Sequence, residues 1–213
     1  MIFHVKLVII DLERSDKMLH RISQIITNFL ISKEIVEKDE AEIYIYGYET
    51  FLSGVIDLLI TITLGLVFKR LLASVIYFAM FVSVRMYVGG YHADSYLKCK
   101  SLFIFITIAI LSVSYIAIPL YGEILILLLF LITAYFLCPI ENPNKPIRKT
   151  EKRKYRITGL IYSAFWSISA VIIYFYIPYI STIIAGNAFA ITMLMICSIY
   201  RKERKVDEKE YYS

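Results

Sequence analysis

The sequence has few charged residues and few cysteines, and both shortages narrow the class of protein. Charged residues make up 19% of the 213 residues, against about 25% in an ordinary globular domain. The three cysteines, Cys99, Cys138 and Cys197, are too widely spaced for a disulfide framework or a CxxC metal site. We therefore expect no metal and no cofactor. We expect Cys138 and Cys197, which lie in or beside apolar runs, to be packing residues.

Apolar residues are in excess. They make up 59% of the chain, with a mean hydropathy of +0.66, against about 45–50% in a globular domain. A soluble protein of this length could not bury so much apolar surface, and a disordered chain would contain far less of it. No cleavable signal peptide is evident, because charged residues follow the short apolar run 2–10. The composition therefore predicts an integral membrane protein inserted through internal spans.

Six apolar runs are long enough to cross a hydrocarbon core about 30 Å thick. They cover residues 51–68, 71–88, 102–121, 124–140, 157–177 and 180–200. The runs are continuous rather than alternating, which predicts an all-α polytopic protein and not a β-barrel. The first run contains Asp57 and the second contains Arg85, whereas the last four contain no charged residue.

The domain organisation follows from these runs. A membrane domain over 51–200 lies between an N-terminal region (1–50) and a charged tail (201–213). Apolar residues recur at helical spacing from Met18 to Leu30, which predicts an amphipathic helix. Two placements stay open: the helix lies in the cytoplasmic membrane interface, or it packs under the bundle. Residues 1–17 break the pattern, which makes Met18 an alternative start.

Basic residues in short loops set the orientation of membrane proteins. The basic loop 141–156 holds seven Lys and Arg against two Glu, and the tail after Tyr200 adds four more basic residues before Val206. This distribution predicts a multi-pass protein of the cell membrane with the basic loop, both termini and the 85–101 loop on the cytoplasmic side. The turn at Lys69–Arg70 then lies outside, against the rule.

The loop 85–101 concentrates residue types that nucleophilic catalysis requires. A cysteine attacks as the thiolate, which a neighbouring histidine or cation favours. Cys99 and His92 suit the roles of nucleophile and base, with Arg85, Lys98 and Lys100 supplying positive potential. Residue types alone leave open a polar loop in which the histidine and cysteine are incidental.

Spacing constrains that interpretation. On one straight helix, His92 and Cys99 would lie about 10 Å apart along the axis, beyond the hydrogen-bond reach of about 2.6–3.2 Å that such a pair needs. A working dyad therefore requires a bend, a loop or a residue from a partner subunit. The glycine pair Gly89–Gly90 permits a positive φ or a close approach to substrate.

The stretch R-x3-G-G-Y-H-A-x5-C at residues 85–99 resembles the accessory gene regulator B (AgrB) family. The proline- and asparagine-containing run 138–146 and the Tyr46-Gly47-Tyr48 approach to the first span match as well, so that the resemblance covers residues 18 to about 200. Members of that family are polytopic membrane peptidases of Gram-positive bacteria that process quorum-sensing pro-peptides.

The resemblance implies that Cys99 is the nucleophile and His92 its general base. Arg85 and Gly90 match motif positions that have no assigned chemical step. The implied reaction cleaves an AgrD-type precursor through an enzyme thioester, which an internal cysteine or serine of the precursor converts into a cyclic thiolactone or lactone. A homodimer in the lipid bilayer is implied, and we expect no nucleic-acid partner.

Two other classes of function compete with a peptidase. A small peptide transporter or permease would suit Asp57 and Arg85, because ionisable groups inside spans often line pathways. The absence of a P-loop argues against a self-powered exporter. A non-catalytic membrane scaffold is the third possibility.

Two contacts are expected from position. Asp57 lies about 9 Å and Arg85 about 4–5 Å from the inner edge of its span. We therefore expect the two side chains to pair and to position the 85–101 loop, which contains Gly89 and Gly90. The alternative is that the Arg85 side chain snorkels to the membrane interface. In the basic loop, we expect the side chains that precede the fifth span to steer the acidic tail of the precursor, the alternative being a topology signal only. These side chains are Lys149, Lys152, Arg153 and Lys154.

Overall fold

A computed structural model describes residues 18–90, 96–116, 118–140 and 149–211, and every regular element in these ranges is helical. The predicted all-α class is therefore confirmed. The elements are α1 (residues 18–32), a short 3-10 helix (Lys38–Glu40), α2 (Ala41–Val67), α3 (Leu71–Val88), α4 (Tyr96–Val113), α5 (Leu120–Leu137), α6 (Lys149–Tyr174) and α7 (Pro178–Tyr211).

Within the described ranges, five helical segments are long and apolar enough to cross a membrane. They are Lys38–Val67, Leu71–Val88, Leu120–Leu137, Thr150–Tyr174 and Pro178–Tyr200. The second of them coincides with the predicted span 71–88. The predicted span 102–121 is wrong in its bounds, because α4 begins at Tyr96 and ends at Val113. Pro119 caps the start of α5, and since a proline disfavours helix in the residue before it, the apolar run divides into a turn and the next helix.

The chain divides into two compact units. The first unit holds the residues up to Ile60 together with Ala93–Ile104, and the second unit holds Thr61–His92 together with all residues from Phe105 onward. In the first unit, α1 buries Leu19, Ser23 and Thr27 and leaves an apolar stripe exposed. The stripe consists of Met18, Ile22, Ile25 and Phe29. The predicted amphipathic helix is thus confirmed, and its location in the membrane interface stays a prediction.

In the second unit, α7 packs against α3, α5 and α6. Its apolar segment Pro178–Tyr200 is the most buried of the five membrane-crossing segments described above, which makes α7 the central helix of this unit. Among the described side chains of α7, the fully buried apolar ones are Ile183, Ile184, Ala185, Ala188, Ile191 and Met195. The buried face of α3 repeats every three or four residues, as helix packing requires: Ala73, Tyr77, Met80, Val84 and Val88.

Small residues let α6 approach its neighbours closely. Ser163 and Ser167 are buried, and their hydroxyls donate to the carbonyl oxygens of Gly159 and Ser163 over 2.8 Å. Because their hydrogen bonds stay within the helix, these residues need no water or partner side chain. A Cβ at Gly159 would lie 2.9 Å from the Cys138 Sγ atom, so that the glycine is required for the close contact.

One buried carboxyl group was not anticipated. The sequence places Glu123 in a turn before the span 124–140, but it lies inside α5 and is 1% exposed. Ser181 and Thr182, in the first turns of α7, donate hydrogen bonds to its two carboxylate oxygens, the latter over 2.6 Å. The positive end of the α7 dipole favours an acidic group at this position.

The turn between α2 and α3, which the predicted topology puts outside, holds its arginine against aromatic rings. The guanidinium of Arg70 lies over the rings of Tyr115 and Tyr179, with its Cζ atom 4.8 and 4.1 Å from the ring centroids. The Tyr115 hydroxyl donates to the carbonyl oxygen of Phe68 in the same turn. Cation–π contacts of this kind stabilise a charge away from bulk water. The orientation of the protein in the membrane stays a prediction.

Candidate active site

The two ends of the 85–101 loop belong to different units. Its start, at the end of α3, is part of the second unit, and Cys99, in the first turn of α4, is part of the first unit. His92 is one of residues 91–95, which lie outside the described ranges. The pairing of His92 with Cys99 therefore stays a prediction.

At the second-unit end, the glycine pair terminates α3. The amide of Gly89 donates to the carbonyl oxygen of Arg85 over 3.1 Å, and φ is 78° at Gly89 and 137° at Gly90. Side chains other than that of glycine adopt these values only with strain. Of the two possibilities stated for this pair, a positive φ or a close approach to substrate, the structure shows the first.

The same glycines make room for the chain's own atoms. A Cβ at Gly89 would collide with the carbonyl oxygen of Ile140, and one at Gly90 would lie 2.5 Å from the Nη1 atom of Arg85. The amide of Ile140 donates to the carbonyl oxygen of Val88 over 2.9 Å. The turn is thereby held against the segment that follows α5, which begins the family-like run 138–146.

Cys138 belongs to the same contact. Its thiol is 5% exposed and lies 3.7 Å from the carbonyl oxygen of Tyr87. Burial raises the pKa of the Cys138 thiol to about 11, since an apolar environment disfavours the thiolate. The prediction of a packing cysteine is confirmed for Cys138 and is wrong for Cys197, which is exposed on α7.

At the first-unit end, the thiol of Cys99 is exposed. It lies in the first described turn of α4, next to the buried Lys100. Lys98, its neighbour in sequence, is exposed as well.

Lys100 was expected to supply positive potential to Cys99, but it forms a buried ion pair with Asp57. It is 5% exposed, and its Nζ atom lies 2.5 Å from Oδ1 of Asp57 and 2.9 Å from the carbonyl oxygen of Ser53, to which it donates hydrogen bonds. The carboxylate compensates the charge that was expected to act on Cys99. Sequence reasoning missed this pair because its members are 43 residues apart and belong to different predicted segments.

The predicted partner of Asp57, Arg85, belongs to the other unit, so their pairing stays a prediction. Within the second unit, the Arg85 guanidinium lies over the Phe81 ring, with Cζ 5.6 Å from its centroid. This contact and the packing of Gly90 give the motif arginine a defined place at the end of α3.

The family model described as accessory gene regulator B matches residues 23–199. The chain belongs to the AgrB family. "Putative AgrB-like protein 2" of Clostridium perfringens (strain 13 / Type A) is 29% identical over 180 residues, which are 80% of each chain. "Putative AgrB-like protein" of Clostridium perfringens (strain SM101 / Type A) is 28% identical over 178 residues, again 80% of each. No solved structure matches the chain.

Membership in the AgrB family implies a role in quorum-sensing peptide processing, an AgrD-type peptide partner and a membrane environment. The match includes both ends of the 85–101 loop and the run 138–146. The glycine turn, the segment packed on it and the Cys99 thiol are therefore all parts of the AgrB-like region.

The start of α6 carries the basic residues predicted to bind the precursor tail. Lys152, Arg153 and Lys154 are exposed, whereas the side chain of Lys149 and residues 141–148 lie outside the described part. Arg156 differs from these residues, because its guanidinium donates to the carbonyl oxygen of Tyr135 over 3.1 Å and lies 5.7 Å from the Tyr135 ring centroid. Arg156 thus ties α6 to α5.

Proposed function

We propose that this AgrB family member is a membrane cysteine endopeptidase that cleaves an AgrD-type precursor, with Cys99 as nucleophile and His92 as general base. The observation that carries the proposal is the exposed Cys99 thiol at the N-terminal end of a helix, inside the family-like motif. An exposed thiolate with positive potential around it is what acyl transfer to sulfur requires.

The reaction proceeds in two transfers that balance without a cofactor. The Cys99 thiolate attacks the scissile carbonyl carbon, the carbon–nitrogen bond breaks, and the leaving amine takes a proton from the His92 imidazolium. The precursor's internal thiol or hydroxyl then gives its proton to His92 and attacks the thioester carbonyl. The Cys99 thiolate leaves, and the product is a thiolactone or lactone. Tethering gives the internal nucleophile a high effective molarity relative to water.

Several features support this peptidase over the two alternatives. A transporter would use Asp57 as an ionisable group that lines a pathway, but its carboxylate accepts a hydrogen bond from Lys100. A scaffold has no use for an exposed thiol at a helix N-terminus. We further propose a homodimer with its active site on the cytoplasmic side, where the exposed Lys152, Arg153 and Lys154 attract the acidic precursor tail together with Lys149.

Co-expression with a tagged precursor tests the proposal. The precursor is sought in a neighbouring open reading frame that encodes a short peptide with a central cysteine or serine and an acidic tail. Cys99→Ala is expected to abolish the mass shift that cleavage produces. Cys197→Ala is the matched control, because it removes another exposed thiol, and it is expected to cleave as wild type does. Cleavage that persists in Cys99→Ala removes Cys99 as the nucleophile.

A further inference from the structure

We propose that Lys100 and Asp57 form a positioning pair that fixes the rotation of α4 and so directs the Cys99 thiol toward the substrate. The inference rests on the proposed function and adds two positioning residues to it. Neither residue is proposed to touch the substrate or the reacting atoms.

The contacts define one docking point in the first unit. Ser53 and Asp57 are four residues apart on α2, so that the carbonyl of the first and the side chain of the second lie on one face, one turn apart. The Lys100 ammonium donates to both, over 2.9 and 2.5 Å. An ammonium group has three donors in different directions, and two of them engage this single turn. The first turn of α4 is thereby attached to α2 at a defined place.

The attachment determines where Cys99 points. Cys99 and Lys100 are consecutive residues of α4, so that their side chains project about 100° apart around the helix axis. With Lys100 buried against α2, the Cys99 thiol is turned to the exposed side. A rotation of α4 that released Lys100 would carry the thiol through the same angle.

The strength of the attachment follows from burial. The Lys100 side chain is 6% exposed and that of Asp57 is 23% exposed. When one partner of a buried ion pair is removed, the other charge stays buried without compensation. This destabilises the fold far more than removing both charges does. The buried pair therefore resists rotation of α4.

Lys98 provides the matched control. It flanks Cys99 on the other side, carries the same charge and is exposed. Lys98→Met and Lys100→Met each remove one positive charge next to the thiol, and the second also removes the hydrogen bonds to Ser53 and Asp57. A loss specific to Lys100→Met therefore separates positioning from a general effect of positive potential.

The experiment uses the full-length protein in lipid nanodiscs with the precursor, in a Cys197→Ala background. Lys100→Met and Asp57→Asn are each expected to lower kcat for cleavage about 10- to 100-fold, as a misplaced reacting group does, with little change in KM. The double variant is expected to lose about as much as either single one, because the two residues act as a unit. Lys100→Arg, which keeps the pair, is expected to retain most of the rate, and Lys98→Met is expected to lower the rate less than Lys100→Met does.

Labelling of Cys99 with a small neutral iodoacetamide, without precursor, tests the position of the thiol independently of its role in cleavage. In Lys100→Met and Asp57→Asn we expect the labelling rate to change together with kcat. Wild-type kcat and labelling in both variants would overturn the inference, and so would an equal loss in Lys98→Met. If instead Cys99→Ala still cleaves, the proposed function fails, and the labelling rates alone decide whether the pair positions the thiol.

Discussion

The two ends of the 85–101 loop are held by different kinds of contact. At the second-unit end, backbone lies against backbone, with the amide of Ile140 bonded to the Val88 carbonyl where only a glycine fits at position 89. At the first-unit end, a buried lysine ammonium joins a carboxylate on α2. A backbone contact is lost when one carbon is added, whereas an ion pair is lost when one charge is neutralised. The two ends are therefore tested by different changes, an added carbon at one and a neutralised charge at the other.

The largest expected effect on stability is that of Gly89→Ala. The new Cβ would collide with a backbone oxygen that cannot rotate away, at a φ of 78° that alanine disfavours. We expect a loss of about 2–4 kcal/mol from overpacking and backbone strain together, measured as a lower midpoint of thermal unfolding in nanodiscs. Gly54→Ala is the control, since a Cβ there meets nothing within 4 Å, and it is expected to leave the midpoint unchanged or higher. Wild-type stability in Gly89→Ala would contradict the account of this end.

A smaller loss is expected from Gly159→Ala, about 1–3 kcal/mol before the gain in helix propensity. The added methyl would lie 2.9 Å from the Cys138 Sγ atom and 3.2 Å from Cγ2 of Val88. In a Cys138→Ala background the sulfur is absent, so the same substitution is expected to destabilise the protein less. An equal loss in both backgrounds, measured by thermal unfolding, would show that the close contact is not what limits this position.

Replacing Lys149, Lys152, Arg153 and Lys154 with glutamine leaves both ends of the loop intact and tests the basic start of α6. We expect about tenfold weaker precursor binding at low salt, because steering of an acidic tail is lost. The difference from wild type should shrink near 1 M salt, where the Debye length is about 3 Å. The control replaces Arg201, Lys202, Arg204 and Lys205 in the tail. If the first variant inserts correctly and binds as wild type does at low salt, these residues are a topology signal only.

The smallest expected effect distinguishes the thiols at the two ends. The pKa of the Cys138 thiol is raised to about 11. At pH 8, therefore, only about one Cys138 side chain in a thousand is in the thiolate form. The neutral thiol is favoured below that pKa, and the reactive form accumulates as the pH rises toward it. In native protein at pH 8 we expect iodoacetamide to label Cys99 and to spare Cys138, as read by peptide mass spectrometry. Rapid labelling of Cys138 at that pH would mean that the contact with α3 is open.

The sequence was informative where local physics decides the structure. The apolar run 71–88 has the same bounds as α3, and the double glycine has positive φ values, one of the two possibilities stated for it. The bounds of α4 were missed because a run of apolar residues does not reveal where a turn divides it. The Lys100–Asp57 pair and the buried Glu123 were missed because each depends on packing between distant segments. Periodicity contains no information about such contacts.

The central claim is that Cys99 forms a thioester with the precursor. It is tested most directly with a precursor whose internal cysteine or serine is replaced by alanine, so that the second transfer cannot occur. The account predicts that the wild-type protein in nanodiscs accumulates a covalent adduct that hydroxylamine releases, and that peptide mass spectrometry locates it on Cys99. An adduct on another residue, or the same adduct in Cys99→Ala, would contradict the account, as would cleavage of this precursor by the wild type with no adduct detected during turnover.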